Sequence, residues 1–198
     1  MGEGNVSYTP KILAFAGSTR EASYNKKLVG IAVAGARAAG ADVTLIDLRN
    51  FPMPLFDGDL ETSAGTPEPA QRFKALMIAS DGFLISAPEY NSSITGVLKN
   101  AIDWASREAP GEAPLIAFAG KVAALMAASP GALGGLRGLV HVRAILGNIK
   151  VLILPEQVAL MRAADAFDAS GALKDAKQQA AVAALGAKLV AMIVKLKS

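Results

Sequence analysis

The chain has 198 residues, 52% of them apolar but only 6% aromatic, and carries a formal net charge of +3. That size fits one domain, residues 1–198, with a sizeable core. Lys/Arg runs and base-stacking aromatics are missing, which argues against a nucleic-acid partner. The chain has no cysteine, so disulfides, thiolate nucleophiles and thiolate metal sites are excluded and any redox chemistry must belong to a bound cofactor.

Residues 1–10 lack the basic-then-apolar pattern of a leader and read as a flexible tail. Lys11 to Ala16 is apolar and short, the first strand. Gly17 to Ser23 is a polar, glycine-led turn. From Ser23 to about Ala39, Leu28, Ile31, Ala32, Ala36 and Ala39 recur at helical spacing, and Gly40 stands where a helix ends. Val43 to Leu48 is a second strand. Asn50 to Glu68, with Pro52, Pro54, Gly58 and Pro67, reads as a long irregular loop, and loops of that length are often functional. Pro69 to Ala79 is helical, Gly82 to Ser86 a third strand, Ala87 to Ser93 a second polar turn and Thr95 to Ser106 a helix. Pro110 and Pro114 mark a loop. Lys121 to Ala127 is a fourth strand, Ser129 to Gly135 a third turn and Leu136 to Leu146 a helix. Lys150 to Leu154 is a fifth strand, followed by a charged loop from Arg162 to Gly171 and a last helix from about Leu173 to Lys195. The longest charge-free run, Val122 to Leu136, is broken by Pro130-Gly131 and is too short to cross a bilayer, so a cytoplasmic protein with no membrane partner is expected.

Five β-α units with strands apolar on both faces predict a doubly wound α/β fold, a parallel five-stranded sheet with helices on both faces. Five strands in this length favour the flavodoxin-like strand order over the dinucleotide-binding one. Ligands in such sheets bind beyond the carboxyl ends of the strands, so the three polar turns are the places to look.

In the first turn, Ser18, Thr19, Arg20, Ser23 and Asn25 surround Gly17 at a helix N-terminus, where free N–H groups and the helix dipole favour a phosphate. Arg20 adds a guanidinium able to pair two phosphate oxygens. The competing reading is that Ser23 or Asn25 merely caps the helix. This is neither a P-loop nor a dinucleotide fingerprint, and Ser18 lacks the second glycine of a hydrolase elbow. In the second turn, Pro88 stiffens the strand exit, the backbone of Glu89 to Ser92 offers donors and acceptors to the edge of a planar heterocycle, and Tyr90 offers an aromatic wall. Turn formation and capping explain Glu89 and Asn91 equally well. Trp104 reads as core and His141 as structural. In the third turn, Ser129 to Gly135, glycines permit close approach of backbone to a ligand, but a tight strand-to-helix turn explains them too.

Gly17-Ser-Thr-Arg20 with Ser23 and Asn25, then Pro88-Glu-Tyr-Asn91, then Gly96-Val-Leu-Lys-Asn-Ala-Ile-Asp-Trp104, resemble the NAD(P)H-dependent FMN reductase family, which includes quinone, chromate and azo-dye reductases. The resemblance covers about residues 10–155. It implies a flavodoxin-like fold, bound FMN, NADPH or NADH as co-substrate, a small-molecule electron acceptor, and a homodimer or homotetramer. Carried over by position, Ser18, Thr19, Arg20, Ser23 and Asn25 would hold the FMN phosphate. Pro88, Glu89, Tyr90, Asn91 and Ser92 would line the ring and ribityl chain, and Ser129 and Gly131 would approach the ring. The implied reaction passes hydride from nicotinamide to flavin N5 and electrons onward to a quinone, chromate, an azo or nitro compound, or free flavin. No protein acid–base pair is needed, because the cofactor does the chemistry. A flavodoxin-type electron carrier and a non-catalytic ligand-binding α/β module are the alternatives. Gly111 to Lys121 is longer and more apolar than the family pattern, which raises the expectation that acceptor access differs here.

Overall fold

A computed structural model describes residues 8–198. In chain order the elements are β1 (Lys11–Ala16), α1 (Tyr24–Ala38), β2 (Asp42–Asp47), α2 (Gly58–Ala64), α3 (Glu68–Ile78), β3 (Gly82–Ser86), β4 (Glu89–Tyr90), β5 (Ser93–Ile94), α4 (Gly96–Ala105), β6 (Val122–Ala128), α5 (Leu136–Asn148), β7 (Leu152–Leu160), α6 (Ala163–Ala166) and α7 (Ala176–Lys197). The five long strands form one parallel sheet in the order β2-β1-β3-β6-β7. This is the flavodoxin-like order, with the switch in winding between β1 and β3.

The pleat explains the two-sided core. Successive side chains of β1 alternate faces: Ile12 and Ala14 join the cluster under α1 and α7, and Leu13 and Phe15 join the cluster under α3, α4 and α5. Both clusters are buried, which is why the strands are apolar without alternation. The alanine richness has a matching cause. A Cβ on Gly35 would fall 2.0 Å from the Ala183 carbonyl oxygen, and one on Gly186 would fall 2.0 Å from that of Ala32, so α1 and α7 pack backbone to backbone. Helix α7 is long and apolar enough by composition to cross a membrane, with a mean hydropathy of 1.6 over 18 residues. Its Val182, Leu185, Leu189 and Ile193 are instead buried in the core beneath the sheet.

Several boundaries differ from the sequence expectations, each for a physical reason. Residues 1–7 of the expected tail lie outside the described residues, while Pro10 is held, its carbonyl accepting from Asp42 N–H at 2.9 Å. The loop from Asn50 to Glu68 contains α2, capped by the Asp57 carboxylate accepting from Asp59 N–H at 2.8 Å. The loop's first half is pinned: Asn100 accepts from Phe56 N–H at 2.8 Å, and the Trp104 indole N–H donates to the Pro54 carbonyl at 2.8 Å. Trp104 is fully buried, as its core reading requires.

Strand β7 continues to Leu160, past the expected end at Leu154. Pro155 cannot donate to a ladder, and the register with β6 slips there, Ala123 facing Ile153 but Leu125 facing Gln157. Arg143 fills the irregularity by donating to Leu154 O at 2.7 Å, Pro155 O at 3.1 Å and Gln157 Oε1 at 2.8 Å. Helix α7 starts at Ala176 rather than Leu173, because Asp175 caps it and Leu173 bridges to Phe167. Gly111 to Lys121 lies at the amino-terminal end of the sheet, ahead of β6, with Ala117 and Phe118 fully buried. It extends the core there.

Candidate functional site

At the carboxyl edge of the sheet, the turns after β1, β3 and β6 converge on one cleft of about 310 Å³. Ser18, Arg20, Ser23, Tyr24 and Asn25 line it from the first turn, Pro88, Glu89 and Tyr90 from the second, and Ser129 and Pro130 from the third. Of the predicted site residues, Thr19, Asn91, Ser92 and Gly131 stay outside the lining. A larger cleft of about 510 Å³ lies between α2, α3 and residues 108–112, away from these strand ends.

The first turn is held rigidly from beneath. Gly17 donates to Ser86 O at 2.8 Å, and its own carbonyl accepts from the buried Thr95 hydroxyl at 2.6 Å. Thr95 Oγ1 also accepts from Leu98 N–H at 3.2 Å and so caps α4. A Cβ on Gly17 would approach Leu98 Cβ to 2.9 Å, so glycine is required for the turn to sit this low on α4. Thr95 and Leu98 were not among the predicted site residues, although a Thr preceding a helical apolar run is a readable capping signal.

Capping does not explain the polar residues of this turn. Ser23 is the N-cap residue of α1, yet its side chain makes no capping hydrogen bond. Among the described residues, no acceptor meets the N–H groups of Ser23, Tyr24 and Asn25. Ser18 and Ser23 are both buried, and Ser18 Oγ accepts from Arg20 N–H at 3.2 Å. Among the described residues, no carboxylate pairs with the Arg20 guanidinium, which lies 5.2 Å from the centre of the Tyr24 ring. The result is an open helix N-terminus with short hydroxyls and one free cation, the donor set an anion needs.

Asn25 has a different task. Its Nδ2 donates to Ala128 O at 2.8 Å, and its Oδ1 accepts from Ala128 N–H at 2.9 Å and from the Ser86 hydroxyl at 2.8 Å. The carboxamide is thus bonded to the ends of β3 and β6 and locks all three turns together. Both lone pairs of its oxygen and one Nδ2 hydrogen are spent inside the protein, so its side chain braces the turn whose backbone N–H groups open on the cleft. Thr19 is exposed and contributes its carbonyl, which accepts from Arg49 Nε at 2.9 Å. Arg49, unpredicted, also pairs with Glu21 at 3.5 Å.

The second turn is a hairpin. Glu89 pairs with Ile94 and Tyr90 with Ser93, and the two loop residues Asn91 and Ser92 have φ of 51° and 67°. Two consecutive positive φ values are the signature of the tight primed turn, in which asparagine is favoured. Asn91 and Ser92 therefore shape the hairpin and stand outside the lining of the cleft. The Glu89 side chain turns away to α5, where Oε1 accepts from Arg137 Nη2 at 2.6 Å and Nε at 2.9 Å, and Oε2 from Arg137 N–H at 3.0 Å and Gly138 N–H at 3.1 Å. Burial pushes this carboxyl up, but the Arg137 and Gly138 hydrogen bonds and the guanidinium charge outweigh that and hold it below the usual carboxylate range. Pro88 is buried and Tyr90 is exposed at the cleft mouth.

In the third turn Ser129 Oγ accepts from Gly131 N–H at 3.2 Å. Gly131 faces outward, its carbonyl accepting from Arg162 N–H at 3.3 Å. The glycines that matter there are Gly134 and Gly135, at φ of 62° and 90°. A Cβ would meet the Ala159 backbone at 2.7 Å from the first and Ala127 Cβ at 2.6 Å from the second.

Comparison with known proteins gives the family. Residues 10–165 match the family model described as NADPH-dependent FMN reductase. The chain is 40% identical over 168 residues to an NAD(P)H-dependent FMN reductase of Pseudomonas aeruginosa, covering 84% of this chain and 86% of that one. It is 33% identical over 192 residues to an NAD(P)H:quinone oxidoreductase of Solanum tuberosum, covering 94% of each. Among solved structures, a flavoenzyme NAD(P)H:(acceptor) oxidoreductase from Paracoccus denitrificans superposes with a TM-score of 0.79 at 29% identity, over 94% of this chain and 98% of that one. The chain belongs to the NADPH-dependent FMN reductase family and is an oxidoreductase of that flavin-dependent class.

Proposed function

We propose that this single flavodoxin-like domain binds FMN in the cleft at the carboxyl edge of the sheet, oxidises NADPH or NADH, and passes the electrons to a small acceptor, a quinone first among them. The observation that carries the reading is the open N-terminus of α1, with buried Ser18 and Ser23, unpaired Arg20, and Pro88 to Tyr90 across the same cleft. A phosphate ester satisfies the free N–H groups and the guanidinium together. Quinone reductases among the relatives favour a quinone over chromate, azo and nitro compounds or free flavin.

When bound, FMN supplies an acceptor and donor of hydride at N5. The protein's part is binding and orientation. Ser18, Ser23, Arg20 and the α1 N–H groups hold the phosphate. Asn25 and Thr95 fix that turn against the ends of β3, β6 and α4. The hairpin from Glu89 to Ile94 presents backbone groups and Tyr90 to the ring, and Ser129 closes the third side. No side chain of the cleft is required to move a proton to the nicotinamide. The same reading makes the protein a cytoplasmic homodimer or homotetramer with no nucleic-acid or membrane partner.

The test is reconstitution. The purified chain is titrated with FMN, then supplied with NADPH or NADH and benzoquinone while nicotinamide absorbance is followed. The reading predicts stoichiometric flavin binding and quinone-dependent oxidation. A chain that leaves added FMN free in solution refutes it.

A further inference from the structure

The hairpin of β4 and β5 has only two residues in each strand and, among the described residues, pairs with no other strand. Such a hairpin is marginal by itself in water, so something else must hold it at a fixed height over the cleft. Three contacts do so, all to α5. The Glu89 carboxylate takes four hydrogen bonds from Arg137 and Gly138, with only 8% of its side chain exposed. Gly138 lies under the hairpin so closely that a Cβ would sit 3.2 Å from Ser93 O and 3.4 Å from Glu89 Cβ. His141 Nδ1 meets the Ser93 hydroxyl at 2.8 Å.

From this clamp we propose that Glu89, with Arg137 as its partner, is a positioning residue for the flavin ring. Its carboxylate is bonded to α5 and not to the first turn, which would hold the cofactor's phosphate. It fixes the residue that immediately precedes Tyr90, and successive strand side chains point to opposite faces, so anchoring Glu89 on α5 aims Tyr90 toward the cleft mouth. The carboxylate also occupies the first N–H groups of α5, binding the third turn to the second. The alignment of ring-facing backbone across two turns therefore depends on a side chain pointing away from the ring. The inference rests on the proposal that the cleft binds FMN.

The experiment compares the FMN-reconstituted wild type with Glu89→Ala, Arg137→Ala, the double variant and Glu89→Gln. Leu189→Ala, in the core of α7 far from the cleft, serves as a destabilised reference. Dissociation constants for FMN and the visible circular dichroism of the bound flavin are measured. Glu89→Ala is expected to weaken FMN binding at least tenfold and to change the flavin dichroism. Arg137→Ala, which leaves the two backbone N–H bonds to Glu89 in place, should weaken binding by a smaller factor with the same sense of change in the dichroism, and the double variant should be no worse than Glu89→Ala, since the guanidinium acts through Glu89. Glu89→Gln, which keeps an acceptor oxygen, should recover part of the affinity and the wild-type dichroic shape. Leu189→Ala should lose stability with the dichroism unchanged. If Glu89→Ala fails to fold, Arg137→Ala and Glu89→Gln carry the comparison. Wild-type affinity and dichroism in Arg137→Ala and in whichever Glu89 variants fold, or the same spectral change in Leu189→Ala, overturn the assignment while leaving FMN binding intact. A wild type that does not bind FMN overturns both.

Discussion

Replacing Asn25 by alanine tests how the three turns are held together. The carboxamide makes three buried hydrogen bonds, to Ala128 O, Ala128 N–H and the Ser86 hydroxyl. The Ser86 hydroxyl can rotate to another acceptor, so the lasting damage is the two Ala128 backbone groups. Each buried group left unsatisfied costs about 1–3 kcal/mol, giving about 2–6 kcal/mol in all. Water entering beside the cleft reduces this to about 3 kcal/mol. For a chain of this length that corresponds to a fall of roughly 6–12 °C in Tm. Urea unfolding of the flavin-free protein should show a lowered midpoint with an unchanged slope.

Asn25→Asp separates the donor from the acceptor. An aspartate accepts from Ala128 N–H and Ser86 but, when ionised, faces the Ala128 carbonyl without a proton to give. Its folded pKa is therefore expected to rise. The stability of Asn25→Asp should then be greatest below the ordinary carboxylate range and be lost as pH rises through the folded pKa. If Asn25→Ala costs less than 1 kcal/mol, or Asn25→Asp is no less stable at neutral than at mildly acidic pH, the locking role is wrong.

Three further outcomes follow from the geometry. Arg20→Ala should weaken FMN binding roughly ten- to hundredfold, from a charge-assisted hydrogen bond worth about 1.5–3 kcal/mol, with Tm of the flavin-free protein unchanged; equal affinity would remove Arg20 from the phosphate site. Gly135→Ala combines a left-handed backbone with a Cβ 2.6 Å from Ala127 Cβ, so a loss of about 3 kcal/mol or more is expected in urea unfolding, and a near-neutral result would contradict the packing described. At the opposite edge, the Tyr8 phenol donates to Asp81 and its pKa is pushed up from an ordinary value near 10 to about 12, the hydrogen bond leading, with burial and the Asp81 charge adding to it. The contact's stabilisation is present below the ordinary tyrosine pKa and lost as pH rises through the folded value. The difference in tyrosinate absorbance between wild type and Tyr8→Phe should show a midpoint near 12, and one near 10 would refute the contact.

The strands were legible because burial on both faces leaves no polar position to confuse the pattern, as in Phe83 to Ile85 or Ala123 to Ala127. The first turn was legible for a related reason: five polar residues around Gly17 exceed what one helix cap uses. Tertiary pairings were not readable. The bracing role of Asn25 shows only once the ends of β3 and β6 are brought to it from 61 and 103 residues away. The clamp on the Glu89 carboxylate likewise appears only when α5 supplies Arg137. Local signals were also passed over. Asp57 ahead of Gly58-Asp59 marks the start of α2, and Asn91 in the polar turn is a residue that tolerates the positive φ of a tight hairpin. The strand expected over Lys150 to Leu154 runs on past Pro155 because Arg143 satisfies the carbonyls around it.

The central claim, that the open N-terminus of α1 is the phosphate seat of a flavin whose ring follows the Pro88–Tyr90 bend, is tested most directly by a crystal structure of the FMN complex. The account predicts phosphate oxygens within hydrogen-bond distance of Ser18, Arg20 and the first N–H groups of α1, with the ring edge against the backbone of residues 88–90. Phosphate density between α2 and α3 instead, or a ring turned away from the hairpin, would contradict it.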